Sequence, residues 1–214
     1  MKKYLAVLIL AVLAASPALA QDGDVHAWLD ASVEGNLNEA WRVKVNQQYK
    51  WNEDATELFE YHTDVGFSRK LADWFIMGLN YRKQYSNKRG EWFAEDRFHV
   101  NGTVKWKWGA IPFSDRSRVE YRSREASDDI FRFRNKLTIT SPSTFTSLQL
   151  RPYLAEEAFL DSDHGEINQN RVYAGVKTKL AENVKAELYY AWVAARGHEW
   201  IHLHVAGFKL GLAF

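Results

Sequence analysis

Apolar and polar residues alternate with a period of two along most of this 214-residue chain. In residues 41–51, Trp41, Val43, Val45, Tyr49 and Trp51 alternate with Arg42, Lys44, Asn46, Gln48 and Lys50. The same alternation recurs in 59–68, 75–84, 95–108, 116–124, 131–139, 145–159, 170–180 and 184–192. A period of two indicates β-strands with one apolar and one polar face, so the chain is predicted to be all-β.

The connections and the strand lengths favour a membrane barrel. Short turns are predicted at 71–73, 109–112, 141–144 and 181–183, and longer polar loops at 52–56, 86–90, 125–129 and 161–169. Most strands are about twice the usual five or six residues, as tilted membrane strands require. The prediction is therefore an antiparallel transmembrane β-barrel of ten to twelve strands, with short periplasmic turns and longer extracellular loops.

Residues 25–34 also alternate, and they make the strand count odd. The segment is predicted to be an extra strand with an unidentified partner, or a segment folded into the lumen or lying in the periplasm. At the other end, Phe208, Leu210, Leu212 and Phe214 are even-numbered, whereas Ile201, Leu203 and Val205 are odd-numbered. This change of parity predicts a β-bulge at 205–207.

The last strand resembles the closing strand of bacterial outer-membrane barrels, since it alternates and ends on Phe214. In a barrel it would leave no open sheet edge. The resemblance implies that the barrel assembly machinery recognises the Phe214 strand.

The first twenty residues have the pattern of a secretory signal peptide. Met1-Lys2-Lys3 is basic, residues 4–16 are apolar, and small residues precede Gln21. An N-terminal membrane anchor is the alternative, but the apolar run is shorter than the roughly 20 residues that a spanning helix needs. We expect a signal peptide at 1–20 and one barrel domain at 21–214, exported to the cell outer membrane.

Composition separates the barrel from a soluble β-sandwich. The formal net charge of +1 does not suggest a nucleic-acid partner, and the chain contains no cysteine. Mean hydropathy is −0.42, yet aromatic residues make up 14% of the chain. Tryptophans lie near predicted strand ends at Trp41, Trp74, Trp106 and Trp108 on one side and Trp51, Trp92, Trp192 and Trp200 on the other. Two aromatic girdles at two membrane interfaces explain this placement, and a sandwich core does not.

The polar faces of the strands predict a charged lumen. The residues assigned to it are Glu60, His62, Asp64, Arg82, Glu95, Arg97, His99, Arg118, Glu120, Arg122, Arg132, Arg134, Glu157 and Arg171. Ten to twelve strands suggest a lumen largely plugged by polar groups. One interpretation is a structural barrel whose charges neutralise one another as ion pairs. The other is a narrow anion-selective channel or transporter lined by arginines.

An outer-membrane lipid hydrolase is a third hypothesis, and it needs a serine nucleophile with a histidine base. His198, His202 and His204 with Glu199 lie near the outer end of the last strand, and Ser123 or Ser127 could lie at a similar height. The chain lacks the Ser/His motifs of such enzymes, metal-ligand spacing and a phosphate-binding loop. We therefore expect neither catalytic residues nor a cofactor.

Several segments resemble one bacterial family. They are YHTDVG at 61–66, GLNYR at 78–82, RSRVEYR at 116–122, RPY at 151–153 with EEAF at 156–159, QNRVYAG at 169–175 and LYY at 188–190. Together they are similar to outer-membrane proteins labelled domain of unknown function 2490. The resemblance implies a β-barrel in the outer membrane of a Gram-negative bacterium and no known activity. We expect a monomer in contact with outer-membrane lipid.

Overall fold

The computed structural model describes residues 25–163, 165–197 and 199–214. The predicted signal peptide and His198 lie outside these residues. The described chain forms β1 Val25–Asn36, β2 Trp41–Asn52, β3 Glu57–Ala72, β4 Phe75–Lys88, β5 Glu91–Trp108, β6 Ile111–Arg124, β7 Ile130–Thr140, β8 Arg151–Asp161, β9 Ile167–Ala181, β10 Val184–Arg196 and β11 Trp200–Ala213. No helix in this part of the chain is long and apolar enough to cross a membrane.

The strands form one closed barrel in which each strand pairs with its neighbours in sequence. We call the end with the β2–β3, β4–β5, β6–β7, β8–β9 and β10–β11 connections the upper rim. The opposite end, with the other connections, is the lower rim. The predicted all-β barrel of ten to twelve strands is confirmed. β4 extends to Lys88 and β9 begins at Ile167, so both strands reach into segments predicted as loops.

β1 closes the barrel by pairing antiparallel with β2 and parallel with β11. Successive hairpins reverse the chain at every strand, so the first and eleventh strands run in the same direction. A parallel pair is therefore the closure that an odd strand count requires. Residues 25–34 are an extra wall strand. The prediction of a twelfth strand is wrong for the described residues, because the missing partner of residues 25–34 is β11 itself. The alternative placements of this segment in the lumen or in the periplasm are also wrong.

The pairing of β11 is regular, and the bulge predicted at 205–207 is absent. Residues 204–213 pair with β1, and residues 200–212 pair with β10, without a shift in register. Leu203 and Val205 face inward and pack with an apolar cluster that includes Trp28 and Val193. The parity of the apolar residues changes because the interior surface beside Leu203 and Val205 is apolar, while the backbone continues unchanged.

One predicted strand is shorter than expected. The strand predicted at 145–159 begins only at Arg151. Residues 145–150 form a tight turn closed by a bridge between Phe145 and Leu150. Thr146 and Gln149 have positive φ values of 66° and 50° there, a conformation that interrupts an extended strand.

The two faces of the wall have opposite polarity. Many outward side chains are large and apolar, with Leu79 62% and Phe131 58% exposed. Inward side chains include Glu120, His99 and Glu157, which are almost completely buried. This arrangement is the reverse of a water-soluble protein, whose apolar side chains lie inside. Trp28 also faces inward and is buried, unlike the tryptophans at strand ends.

The β1–β11 closure predicts a specific disulfide. Ala31 and Leu210 are direct partners across this pair, and the chain has no cysteine of its own. Paired strand residues have Cα atoms about 5 Å apart, within disulfide range. Oxidation of the Ala31→Cys, Leu210→Cys variant should give an intramolecular disulfide, detected as a gel-mobility shift that reductant reverses. A variant with Ala31→Cys and Val119→Cys on β6 is the control. Equal crosslinking in both would contradict the closure.

Candidate functional site

The candidate site is the charged interior of the barrel. All the residues that the sequence assigned to the lumen face it and are buried or half-buried in the structure, namely Glu60, His62, Asp64, Arg82, Glu95, Arg97, His99, Arg118, Glu120, Arg122, Arg132, Arg134, Glu157 and Arg171. They lie on β3 to β9. Strand alternation points each of them inward, and neighbouring strands bring opposite charges together.

Glu120 on β6 is the centre of the ion-pair network. Its carboxylate accepts hydrogen bonds from Arg97 at 3.2 Å, Arg118 at 3.2 Å and Arg134 at 2.9 Å. The three arginines come from β5, β6 and β7. Glu120 is 0% exposed, so these guanidinium groups replace its hydration.

Two further carboxylates extend the network toward β3 and the upper rim. Glu95 accepts two hydrogen bonds from Arg122, both at 2.7 Å, and two from Arg97, at 2.6 and 2.9 Å. Asp64 is joined to His99 at 2.9 Å and to Arg82 at 3.1 Å. Arg97 links Glu95 to Glu120, so part of the network is continuous across adjacent strands.

Glu157 on β8 joins the network to side chains of β6, β7 and β9. It accepts hydrogen bonds from Arg134 at 2.7 Å, Arg116 at 3.0 Å and the Tyr173 hydroxyl at 3.0 Å. The Lys136 ammonium lies 3.9 Å from Glu157 Oε2, the oxygen that accepts the Tyr173 hydroxyl. One carboxylate therefore serves several cations.

Arg171 on β9 differs from the other interior arginines. It lies over the rings of Trp28 and Phe159, at 4.8 and 4.6 Å from their centroids. It donates to Gln169 at 3.2 Å, and within the described residues no carboxylate lies within salt-bridge distance. The Lys50 ammonium also lies over the Trp28 ring, 4.6 Å from its centroid, and donates a hydrogen bond to Glu60 at 2.5 Å. Cation–π contacts with Trp28 thus connect β9 through β1 to β2. The Lys50–Glu60 ion pair extends this connection to β3.

The wall formed by β8, β9 and β10 carries three buried tyrosines, Tyr153, Tyr173 and Tyr189, which we call the tyrosine platform. A lysine ammonium lies over each ring: Lys177 at 4.2 Å from Tyr153, Lys136 at 3.5 Å from Tyr173 and Lys209 at 4.7 Å from Tyr189. A Cβ on Gly207 would approach the Tyr189 ring to 2.0 Å, so this glycine leaves room for the ring.

The described residues line two large cavities inside the barrel. One, of about 640 Å³, runs beside the network; the other, of about 600 Å³, lies at the lower rim. They share Asp30, Lys44, Asn46 and Lys209 as lining residues, so they meet at that level. Eight arginines and four lysines line the first cavity against four carboxylates. Adding Glu95, Glu120 and Asp161, which contact the same arginines, still leaves an excess of positive charge.

Some of these features were not predicted. Lys50, Lys136 and Asp161 belong to the network, and Asp161 was placed in a predicted loop. The inward parity of Lys50 and Lys136 was visible in the sequence. The contact of Lys136 with Tyr173 joins β7 to β9, and alternation within a strand carries no information about such pairs.

The serine and histidine residues of the hydrolase hypothesis that the structure describes are not brought together. Ser123 lies on β6 and His202 on β11, with at least four strands between them around the barrel. His202 stacks on Trp192 at 5.2 Å, and His204 bonds to the Tyr190 hydroxyl at 2.7 Å. Among the described residues, no group of three or more histidine, aspartate or glutamate side chains is arranged to hold a metal ion.

Comparison with protein families gives one match. The model of the family described as "Protein of unknown function (DUF2490)" matches residues 25–198. The chain belongs to the DUF2490 family. A search of curated proteins found no match. The matched part of this DUF2490 barrel runs from the start of β1 to just before β11 and includes Glu95, Glu120 and Glu157.

The position of Glu120 predicts a large stability effect. Glu120→Gln removes the charge that three arginines share and leaves buried guanidinium groups without a full counterion. Breaking a buried ion pair in this way costs about 3 to 5 kcal/mol. Denaturant unfolding of the refolded protein should show a clearly lower midpoint. Glu156→Gln, on the outward side of β8, is the matched control and should change stability by less than about 1 kcal/mol. Equal effects would contradict the central role of Glu120.

Proposed function

We propose that this DUF2490 protein is a monomeric outer-membrane β-barrel with a structural role, whose interior is plugged by its own ion-pair network. The observation that carries the proposal is the low exposure of the interior charges. Salt-bridged side chains from Lys50, Arg82, Arg118, Arg122 and Arg132 are only 9–16% exposed. A wide water-filled pore would leave the charges that line it much more exposed.

The outer surface supports the membrane part of the proposal. Large apolar side chains project outward around the barrel, including Leu79, Phe98, Phe131 and Leu154. Exposed apolar surface of this extent marks an interaction site, and lipid is the partner that covers a closed barrel on all sides. The outward stripe of β11 ends at exposed Phe214, and we infer that the barrel assembly machinery recognises this stripe.

A narrow anion pathway is the second candidate function. The excess of arginine and lysine along the 640 Å³ cavity favours it, because a cationic lining attracts anions. The two candidates differ in whether the network opens. Buried ion pairs that satisfy one another favour the closed barrel, since separating them to pass a solute would leave charges unpaired.

Membrane insertion is tested by a pair of neighbouring substitutions on β3. Phe67 faces outward and Ser68 lines the interior cavity. Arginine facing lipid costs about 2 to 4 kcal/mol near the membrane midplane and less toward the interface. Phe67→Arg should therefore lower the stability of the refolded protein in bilayers by about 2 kcal/mol, and Ser68→Arg by much less. Similar losses, or recovery of the wild-type protein in the soluble periplasmic fraction, would contradict insertion.

The closed interior is tested by electrical recording. Wild-type protein reconstituted in planar bilayers should show no steady conductance, because paired charges occupy the middle of the barrel. Glu120→Gln should lose stability without gaining a steady current. Stable anion-selective conductance in the wild type, or in a fully stable Glu120→Gln variant, would instead favour the anion pathway.

A further inference from the structure

The lower half of the interior has more positive charge than its carboxylates neutralise. Glu187 accepts a hydrogen bond from Lys209 at 2.8 Å and lies 3.9 Å from Lys177, so two lysines share one carboxylate. Glu157 is shared by Arg116, Arg134 and Lys136. Asp30 and Glu34 also line the lower cavity. Asp30 accepts hydrogen bonds from the amides of Asn46 and Gln48, and Glu34 lies 3.4 Å from the Lys185 ammonium.

Three cationic side chains lack partners entirely or in part. Within the described residues, Lys44 makes neither an ion pair nor a hydrogen bond, although it lines both cavities. The Nε atom of Arg134, a residue at least nine-tenths buried, has no hydrogen-bond partner, and neither has the Nε atom of Arg116. Buried donors of this kind normally have an acceptor, and the cavity beside them is where one would lie.

The tyrosine platform fixes the lysines in place. Lys136, Lys177 and Lys209 each lie over a tyrosine ring, and the Tyr153 hydroxyl donates to Glu187 at 2.6 Å. Flexible lysine side chains lose entropy when they are ordered around a ligand. Cation–π contacts order these lysines beforehand, so a ligand would meet a preformed group of ammonium ions.

Lys177, Lys209 and the neighbouring Arg116 are accessible from the lower rim, whereas the Lys136 side chain is only 17% exposed. The side chains of Arg116, Lys177 and Lys209 are 34%, 40% and 35% exposed, well above those in the middle of the network. The lower cavity, of about 600 Å³, is lined by rim residues such as Thr144 and Lys185 and also by Lys177 and Lys209. Its volume is within the range of small-molecule sites, roughly 300 to 1,000 Å³.

We propose that the lower half of the interior is a binding site for a compact multivalent oxyanion of the phosphate or pyrophosphate class, held by Lys136, Lys177, Lys209, Lys44 and Arg116. Ammonium ions bind phosphate oxygens as point charges from several directions. A multivalent anion contacts several of these cations at once. A monovalent anion competes poorly, because Glu187 already neutralises part of the charge on Lys177 and Lys209. The site goes beyond the structural role proposed above and does not depend on whether the barrel conducts.

Titration calorimetry of the refolded full chain with inorganic pyrophosphate tests the site. Wild-type protein should bind one pyrophosphate saturably, and inorganic phosphate should compete, whereas the same concentration of chloride should not. Lys209→Met should weaken binding about tenfold, and Lys136→Met with Lys209→Met by a hundredfold or more, from the usual strength of hydrogen bonds to charged groups. Methionine keeps the length and apolar contacts of the lysine stem.

Lys83→Met is the matched control, since Lys83 lies on the outward face of β4 and pairs with Asp96. It removes the same charge from the chain and should leave binding within about twofold, because Lys83 lies outside the barrel and lines neither cavity. Absence of saturable binding to the wild-type protein would overturn the proposal without reference to any variant. Unchanged pyrophosphate affinity in a correctly folded Lys136→Met, Lys209→Met variant would also overturn it.

A second arm distinguishes a soluble oxyanion from a lipid phosphate. Pyrophosphate affinity should be the same in nanodiscs of phosphatidylcholine alone and in nanodiscs that also contain phosphatidylglycerol. Loss of binding in the second kind would show that a lipid headgroup occupies the site, and would overturn the assignment to a soluble ligand. Failure of the conductance test alone would leave the binding result unaffected, so the two proposals fail separately.

Discussion

An ionised side chain that leaves water needs a countercharge within hydrogen-bond distance, and this constraint governs the interior of the barrel. Glu120 shows it most clearly, because it is fully buried and is bonded to arginines from three strands. Those arginines also bind Glu95 and Glu157. Each carboxylate thus fixes side chains from several strands, and the register of neighbouring strands determines which charges meet. A shift of one residue would point the same arginines outward.

The parallel closure of the wall follows from the number of strands. Eleven strands joined by hairpins cannot close with an antiparallel pair, so β1 runs alongside β11. The backbone amide of Phe214 donates to Glu34 and its carbonyl accepts from Asn36, both at 3.0 Å, which continues the pairing to the lower rim. β1 also contributes Trp28, whose ring contacts Lys50 and Arg171. β1 therefore joins the two ends of the wall, β2 and β11, and also connects the two sides of the interior network.

Alternation was sufficient to predict the fold class and the facing of the charged residues, because both depend on the period of two within each strand. Closure depends on strand parity over the whole chain, and the partner of residues 25–34 could not be identified from local pattern. The bulge expected at 205–207 is absent, and the change of parity that suggested it has a different cause. Leu203 and Val205 are apolar and inward because Trp28 and Val193 make that part of the interior apolar. An alternation rule that assumes one polarity for the whole interior misassigns such a strand.

The distribution of charge along the barrel axis has a physical consequence for what the interior can do. In the upper and middle parts, arginines meet carboxylates at short distances and have little contact with water, so they hold one another. In the lower part, lysines outnumber acidic partners and rest on aromatic rings, which attract a cation without cancelling its charge. A cation on a tyrosine ring keeps its ability to bind an anion, whereas the charge of a guanidinium that binds one or two carboxylates is already balanced by them. The choice of tyrosine or carboxylate as the neighbour therefore divides the interior into a closed part and a part able to bind a ligand.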